Sequence, residues 1–164
     1  LKKLQFPRTS LPLYIFLSAT VNYLILMVIF IGFLLVTGRT PDLSLLGIVP
    51  LIVIQQSFAV GLGVFLATLN VFFRDIGHAM SIVLQFWFWL TPIVYPAEII
   101  PEQLKWLLSL NPMTSVIQGY QDIFLYGFWP IWERQTVTAI LAVLFLMVGY
   151  FTFVKLDKEM VDEL

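Results

Sequence analysis

Apolar residues run in long uncharged blocks along this chain, and the blocks predict helices that cross a membrane. No charge occurs in the 30 residues between Arg8 and Arg39, or in the 31 residues between Asp42 and Arg74. Because a bilayer-spanning helix needs roughly 20 apolar residues, each block is long enough for one crossing. With turn-forming residues as boundaries, the predicted spans are about 11–37, 45–71, 78–94 and 135–154.

The composition supports a membrane location for the whole chain. Of its 164 residues, 60% are hydrophobic, and the mean hydropathy is +0.93. A soluble domain is usually about 45–50% apolar, so the balance favours an integral membrane protein. We predict one all-α transmembrane domain over residues 1–164, and the lack of cysteine excludes disulfides and thiolate chemistry.

The segment between the third and fourth spans predicts two short helices. Pro101 and Pro112 each suit the first position of a helix, and Asn111 is a good cap before the second. The predicted helices, about 101–110 and 112–126, each carry an apolar stripe but are too short to span. They predict an interfacial or re-entrant hairpin on the outer side.

Basic residues in the connecting segments predict the orientation, since cytoplasmic loops carry an excess of them. With a cytoplasmic N-terminus, six basic residues lie inside and three outside. Those inside are Lys2, Lys3, Arg8, Arg74, Lys155 and Lys158. Those outside are Arg39, Lys105 and Arg134. Both ends of the chain are therefore predicted to be cytoplasmic.

Several kinds of chemistry lack the residues they need. The four predicted spans contain no charged residue, although such residues usually mark ion and proton pathways. His78 is the only histidine, so a two-histidine metalloprotease site is excluded, and there is no phosphate-binding P-loop. We predict that the chain is not an enzyme and binds no cofactor or metal.

Gly61 and Gly63 are predicted to let helices approach closely.

The stretch Leu69–Asp75, LNVFFRD, contains two adjacent residues of opposite charge, Arg74 and Asp75, between the second and third spans. One interpretation is an anchor that follows the positive-inside rule. The other is a docking elbow for a cytoplasmic partner. The residues alone leave both open.

Three motifs in order resemble a known family. They are LNVFFRD at 69–75, LQFWFWLTPIVYP at 84–96 and IPEQLKWLLSLNPMT at 100–114. Together they resemble the permease subunit of ABC transporters that export O-antigen and related polysaccharides. Residues 1–12, with Phe6-Pro7-Arg8 and Leu11-Pro12, resemble the segment before the family's third span. The resemblance implies six spans in a complete subunit, of which this chain carries the last four, without the N-terminal third of the usual pattern.

The resemblance also implies partners and a location. Two permeases and two ATPase subunits would form a complex in the bacterial inner membrane, and ATP and Mg²⁺ would bind the ATPases. A lipid-linked glycan would pass outward through the permease dimer among membrane lipids, and nucleic acid is not an expected partner. The matching positions for ATPase coupling are Phe73, Arg74 and Asp75, with Pro7 and Arg8 as a second candidate.

Aromatic residues are the candidates for contact with cargo, because aromatic planes offer broad amphipathic surfaces. Successive helix positions lie about 100° apart, so Phe86–Trp89 cannot all face one path. The path candidates are Trp87, Trp89 and Tyr95, and we expect Trp87 or Trp89, but not both, to touch cargo. The candidates for a gate on the outer side are Trp106, Met113 and Tyr120.

Two alternatives remain open at this point. The same class of permease could export teichoic acid, a glycolipid or a drug, and genes for glycosyltransferases nearby would favour a glycan. A membrane assembly subunit that transports nothing is the other alternative, and it would not co-purify with an ATPase.

Overall fold

The computed structural model describes residues 10–38, 42–95 and 99–162, and side chains within 13–38, 42–95 and 99–155. Within these residues the chain is helical, with no strand. It divides into two units, Leu1–Pro41 and Asp42–Leu164. Three helical segments are long and apolar enough to cross a membrane, namely Leu13–Val36, Leu43–Phe72 and Trp132–Lys155.

The first unit contains one long helix, α1, at Ser10–Val36. Its 27 residues give a length of about 40 Å, which exceeds the hydrocarbon core of a bilayer, about 30 Å. The end of α1 is closed by Gly38, which takes a left-handed φ of 80° and donates its N–H to the carbonyl of Leu35 at 3.1 Å. Glycine is the residue type that adopts this left-handed backbone conformation without strain.

The second unit begins with a 3-10 helix, Leu43–Gly47, that leads into α2 at Ile48–Phe72. Asp42 caps it, since its Oδ1 accepts the N–H of Leu43 at 2.7 Å. Gly47 lies tightly against Pro130, whose Cδ would stand 2.9 Å from an added Cβ. The start of α2 is thus held beside the segment that leads into the last helix.

The last helix, α6, covers Trp132–Asp162 and packs along α2. The two helices run parallel, because Gly47 meets Pro130 just before both helices begin and Gly61 meets Phe145 further along both. Gly61 is central to this contact, as an added Cβ would stand 2.6 Å from the carbonyl carbon of Phe145. Around Gly63 no described atom lies within 4 Å of an added Cβ, so only Gly61 serves the close approach we predicted for both.

Helix α3, at Ile76–Leu90, is shorter than the predicted span at 78–94. It ends because Thr91 is extended, with φ −93° and ψ 130°, as expected for the residue before Pro92. Its 15 residues give about 22 Å, less than the hydrocarbon thickness of about 30 Å. The chain then bends through residues 91–95.

Two short helices follow, and they form a hairpin. A 3-10 helix at Glu102–Leu104, preceded by Pro101, leads into α4 at Lys105–Leu110. Helix α5 covers Pro112–Gln121 and continues as a π-helical turn, Asp122–Tyr126, so the helical run matches the predicted 112–126. We call α4 and α5 together the hairpin, and its tip is the Asn111–Pro112 junction.

Candidate functional site

The tip of the hairpin is bonded to the C-terminal end of α3 by a buried polar cluster. The indole Nε1 of Trp87 donates to Asn111 Oδ1 at 2.7 Å. Asn111 Nδ2 donates to Thr91 Oγ1 at 2.8 Å, and that hydroxyl donates to the Trp87 carbonyl at 2.8 Å. We name these three residues the latch. Thr91 and Asn111 are only 2% and 6% exposed, so the latch excludes most of the surrounding solvent or lipid.

Asn111 has a second task in the same place, which is to cap α5. Its Oδ1 also accepts the N–H of Met113 at 3.0 Å, and Pro112 occupies the first helical position. This confirms the cap predicted from the Asn-Pro sequence. One amide therefore both starts α5 and ties it to α3.

Helix α5 is also bonded to α6, through residues that the sequence did not single out. Thr138, which is fully buried, donates to the Pro112 carbonyl at 2.9 Å and lies 2.7 Å from Ser115 Oγ. Gln135 Nε2 donates to the Ser115 carbonyl at 2.6 Å. Two polar residues at the start of an apolar span could have pointed to a contact with another helix, but not to its partner on α5.

The rest of α5 packs on α2 and on the bend after α3. The Tyr120 hydroxyl donates to Gln55 Oε1 at 2.9 Å. Gln121 Nε2 donates to the carbonyl of the buried Pro92 at 3.1 Å. Gly119 permits this packing, because an added Cβ would come within 3.0 Å of Leu51 Cδ2.

The hairpin therefore lies alongside α2 and α6, with its tip away from the N-terminal ends of these two helices. Thr138 is six residues into α6, so the tip it contacts lies about 9 Å along that helix from its start. Ile123, just after α5, lies beside Gly47 at the start of α2. Of the two predicted arrangements, interfacial or re-entrant, these contacts favour a re-entrant hairpin.

The opposite end of α2 and α3 forms the elbow Phe73–Asp75. All three side chains are exposed, Phe73 by 65%. The elbow is fixed by Asn70, whose Oδ1 accepts the N–H of Gly77 at 3.0 Å across the turn. An apolar ring, a cation and an anion are thus presented together on a short, defined turn. Pro7 and Arg8 lie outside the described residues.

The aromatic residues of α3 point in different directions, as their spacing predicts. The Trp87 ring is half-buried and meets the buried Phe58 of α2 edge to face, with centroids 6.3 Å apart. Trp89 is 60% exposed, and its carbonyl accepts the Tyr95 hydroxyl at 2.9 Å. Phe86 and Phe88 are exposed as well, so of the two tryptophans only Trp89 belongs to the exposed surface of α3.

The three gate candidates do not form one cluster of contacts. Trp106 on α4 is 58% exposed. Met113 is half-buried in the first turn of α5. Tyr120 is half-buried at the other end of α5, where it also stacks on Phe124 with centroids 6.2 Å apart. All three belong to the hairpin, but Trp106 lies on the exposed surface of α4, Met113 lies at the tip, and Tyr120 lies at the end of α5 farthest from the tip.

Three helical segments long and apolar enough to cross a bilayer, in a chain that is helical throughout its described residues, define an all-α, multi-pass membrane protein. The model of the ABC-2 type transporter family matches residues 1–125. The chain belongs to this family, whose members are membrane components of transporters.

Two relatives illustrate the similarity. The O-antigen export system permease protein RfbA of Klebsiella pneumoniae is 34% identical over 163 residues, which are 99% of this chain and 62% of that protein. The protein of the same name from Myxococcus xanthus is 28% identical over 166 residues, covering 100% of this chain and 64% of that protein. The chain spans less than two thirds of the length of these relatives.

Proposed function

We propose that this chain forms the membrane path of an exporter that moves a lipid-linked polysaccharide of the O-antigen type. The main observation in support of this proposal is the similarity to O-antigen export permeases over 99% of the chain. The predicted spans contain no charged residue, which gives no support to proton coupling as the driving force.

ATP hydrolysis in a separate subunit would drive export, with ATP and Mg²⁺ bound there. In this proposal two copies of the permease pair with two ATPases, and the elbow Phe73–Asp75 is the docking element. Its support is that all three side chains are exposed while the backbone is fixed by Asn70. Pro7 and Arg8 are the second candidate contact.

Exposed aromatic residues would form part of the path. A long repetitive polymer requires many weak contacts, since tight binding at one site would stall it, as in ion conduction. Trp89 and Tyr95 fit this role because the Trp89 ring is 60% exposed and Tyr95 lies beside it. Trp87 remains a candidate only if its ring leaves Phe58. Trp106, Met113 and Tyr120 would shape the exit on the hairpin.

The proposal places the chain in the bacterial inner membrane with both of its ends cytoplasmic. The elbow and Arg134 then lie on opposite sides, because α2 runs parallel to α6 and Arg134 lies in the first turn of α6. Single cysteines at Phe73 and Arg134, in a chain with none of its own, should react with an impermeant maleimide on opposite faces of sealed vesicles.

The test of function uses the full-length permease with its ATPase in a strain that lacks its own exporter. Surface glycan and co-purification of the ATPase are measured for Arg74→Ala and Asp75→Ala, with Arg134→Ala as the matched control. We expect both quantities to fall in the elbow variants and to persist in the control. If the unaltered permease places no glycan on the surface, glycan export is the wrong function. If both elbow variants retain export and the ATPase, the docking assignment is wrong.

A further inference from the structure

Side-chain hydrogen bonds join α3 to the rest of its unit at both of its ends. At the elbow, Asn70 of α2 bonds Gly77 at 3.0 Å. At the C-terminal end, Trp87 and Thr91 bond Asn111 of the hairpin at 2.7 and 2.8 Å. Between these ends most α3 side chains are exposed. Helix α3 is therefore held by hydrogen bonds at two points about 20 Å apart along its axis.

The side chain of Asn111 makes more hydrogen bonds than a helix cap requires. A cap needs one acceptor for a backbone N–H near the start of the helix, and Asn111 supplies that to Met113. Its amide also accepts from Trp87 and donates to Thr91. Since Asn111 and Thr91 are almost completely buried, losing one partner would leave a polar group unpaired at a cost larger than the bond's net contribution.

We propose that Asn111 and Trp87 are positioning residues that hold the hairpin tip to α3, so that a displacement of α3 at the elbow carries the hairpin with it. This inference rests on the proposed function for its role in export, where the latch would link ATPase docking to the exit. The physical part, one rigid body made of α3 and the hairpin tip, stands without it.

Two variants separate the latch from other tasks of the same residues. Asn111→Ser keeps a residue that caps as well as asparagine but removes the amide that reaches both partners. Trp87→Phe keeps a ring against Phe58 but removes the indole N–H. The matched control is Tyr120→Phe, which removes a hydrogen bond between the hairpin and α2, outside the latch.

The measurement is the distance distribution between spin labels at Ser81→Cys on α3 and Ser109→Cys on α4, both exposed. It is made on the full-length permease in lipid nanodiscs, with helix content checked by circular dichroism. We expect one narrow distribution for the otherwise unaltered protein and for Tyr120→Phe. In each latch variant a second, detached population should rise by about fivefold for each hydrogen bond lost.

Each outcome decides the inference. A distribution in both latch variants that matches the unaltered protein overturns it, and so does equal broadening in the Tyr120→Phe control. Export of glycan is then measured with the two latch variants and the unaltered protein. If the unaltered protein does not export, the proposed function fails while the distances still decide whether the latch exists. If the latch variants show the detached population yet export at the unaltered rate, the positioning role in transport is overturned.

Discussion

Gly61 of α2 lies directly against Gly149 of α6, with no room for a side chain on either residue. A Cβ added to Gly149 would stand 2.9 Å from the Gly61 carbonyl oxygen and 3.4 Å from Val64 Cβ. Small residues allow membrane helices to pack this closely, because association within lipid depends on van der Waals contact and not on expulsion of water. The glycine pair therefore sets the distance between the two long helices against which the hairpin packs.

We predict that Gly61→Ala destabilises the protein and that Gly63→Ala does not. The added methyl at position 61 would overlap the backbone of Leu146, and overpacking of this kind costs about 1–3 kcal/mol. At position 63 no described atom is close, so replacing a mid-helix glycine should be neutral or stabilise by about 0.5–1 kcal/mol. Unfolding in mixed micelles measures both, and equal stability of the two variants would contradict the prediction.

Thr138→Val tests the bond between the hairpin and α6. Thr138 is fully buried and bonds both the Pro112 carbonyl and Ser115 Oγ. Valine keeps the shape but not the hydroxyl, so we expect a loss of about 1–2 kcal/mol in the free energy of unfolding. The control is Thr136→Val on the exposed side of α6, where a change within about 0.5 kcal/mol is expected. The same cost at both positions would refute a special role for Thr138.

The carboxyl group of Glu102 should titrate below its ordinary range. The Lys105 ammonium donates a 2.6 Å hydrogen bond to Glu102 Oε1, and this bond, with the charge behind it, lowers the pKa of Glu102. A lowered pKa in the folded state means that the ion pair stabilises above the unfolded pKa, and that this stabilisation is lost as the pH falls through the folded pKa. Carbon-detected NMR titration should show the pKa of Glu102 rising in Lys105→Met and staying low in Lys105→Arg. An unchanged pKa in Lys105→Met would argue against the ion pair.

The segment Tyr126–Trp132 should lie at the outer boundary of the lipid. Gly127, with a φ of 69°, turns the chain so that Phe128 and Trp129 are 69% and 52% exposed. Aromatic residues with a polar edge favour this boundary. With fluorinated tryptophan, ¹⁹F NMR should show strong broadening of the Trp129 signal by a spin label at the lipid headgroup. The signal of Trp87, half-buried and bonded to Asn111, should broaden least, and the reverse order would refute this assignment.

Much of the hairpin could be predicted from local sequence, because its signals are local. Asn111 followed by Pro112 specifies a cap and a first helical residue, and both are observed. Pro101, in contrast, precedes a 3-10 helix instead of starting a regular one. The end of α3 at Leu90 also follows from a local rule, since the residue before Pro92 avoids the helical region. Yet we placed the end of this span at Val94, after the break and not at it.

The contacts that hold the hairpin could not be predicted in this way. Thr138 and Gln135 look like ordinary polar residues at the end of a span, and nothing local pairs them with Ser115. Trp87 looked equivalent to Trp89, but the structure turns one toward Phe58 and the other outward. Such pairings depend on which faces meet across 20 or more residues of chain, as between Thr91 and Asn111.

The sequence by itself determined that this is a helical membrane protein. A long uncharged apolar segment is stable in a bilayer as a helix, and this requires no tertiary contact. The sequence also determined where the chain must turn, through prolines and charges that act locally. Only the tertiary structure decided that the glycines of α2 and α6 meet, and that Asn111 bonds α3 while it caps α5. These facts depend on the relative rotation and depth of whole helices, which are set by many weak packing contacts and not by any one residue.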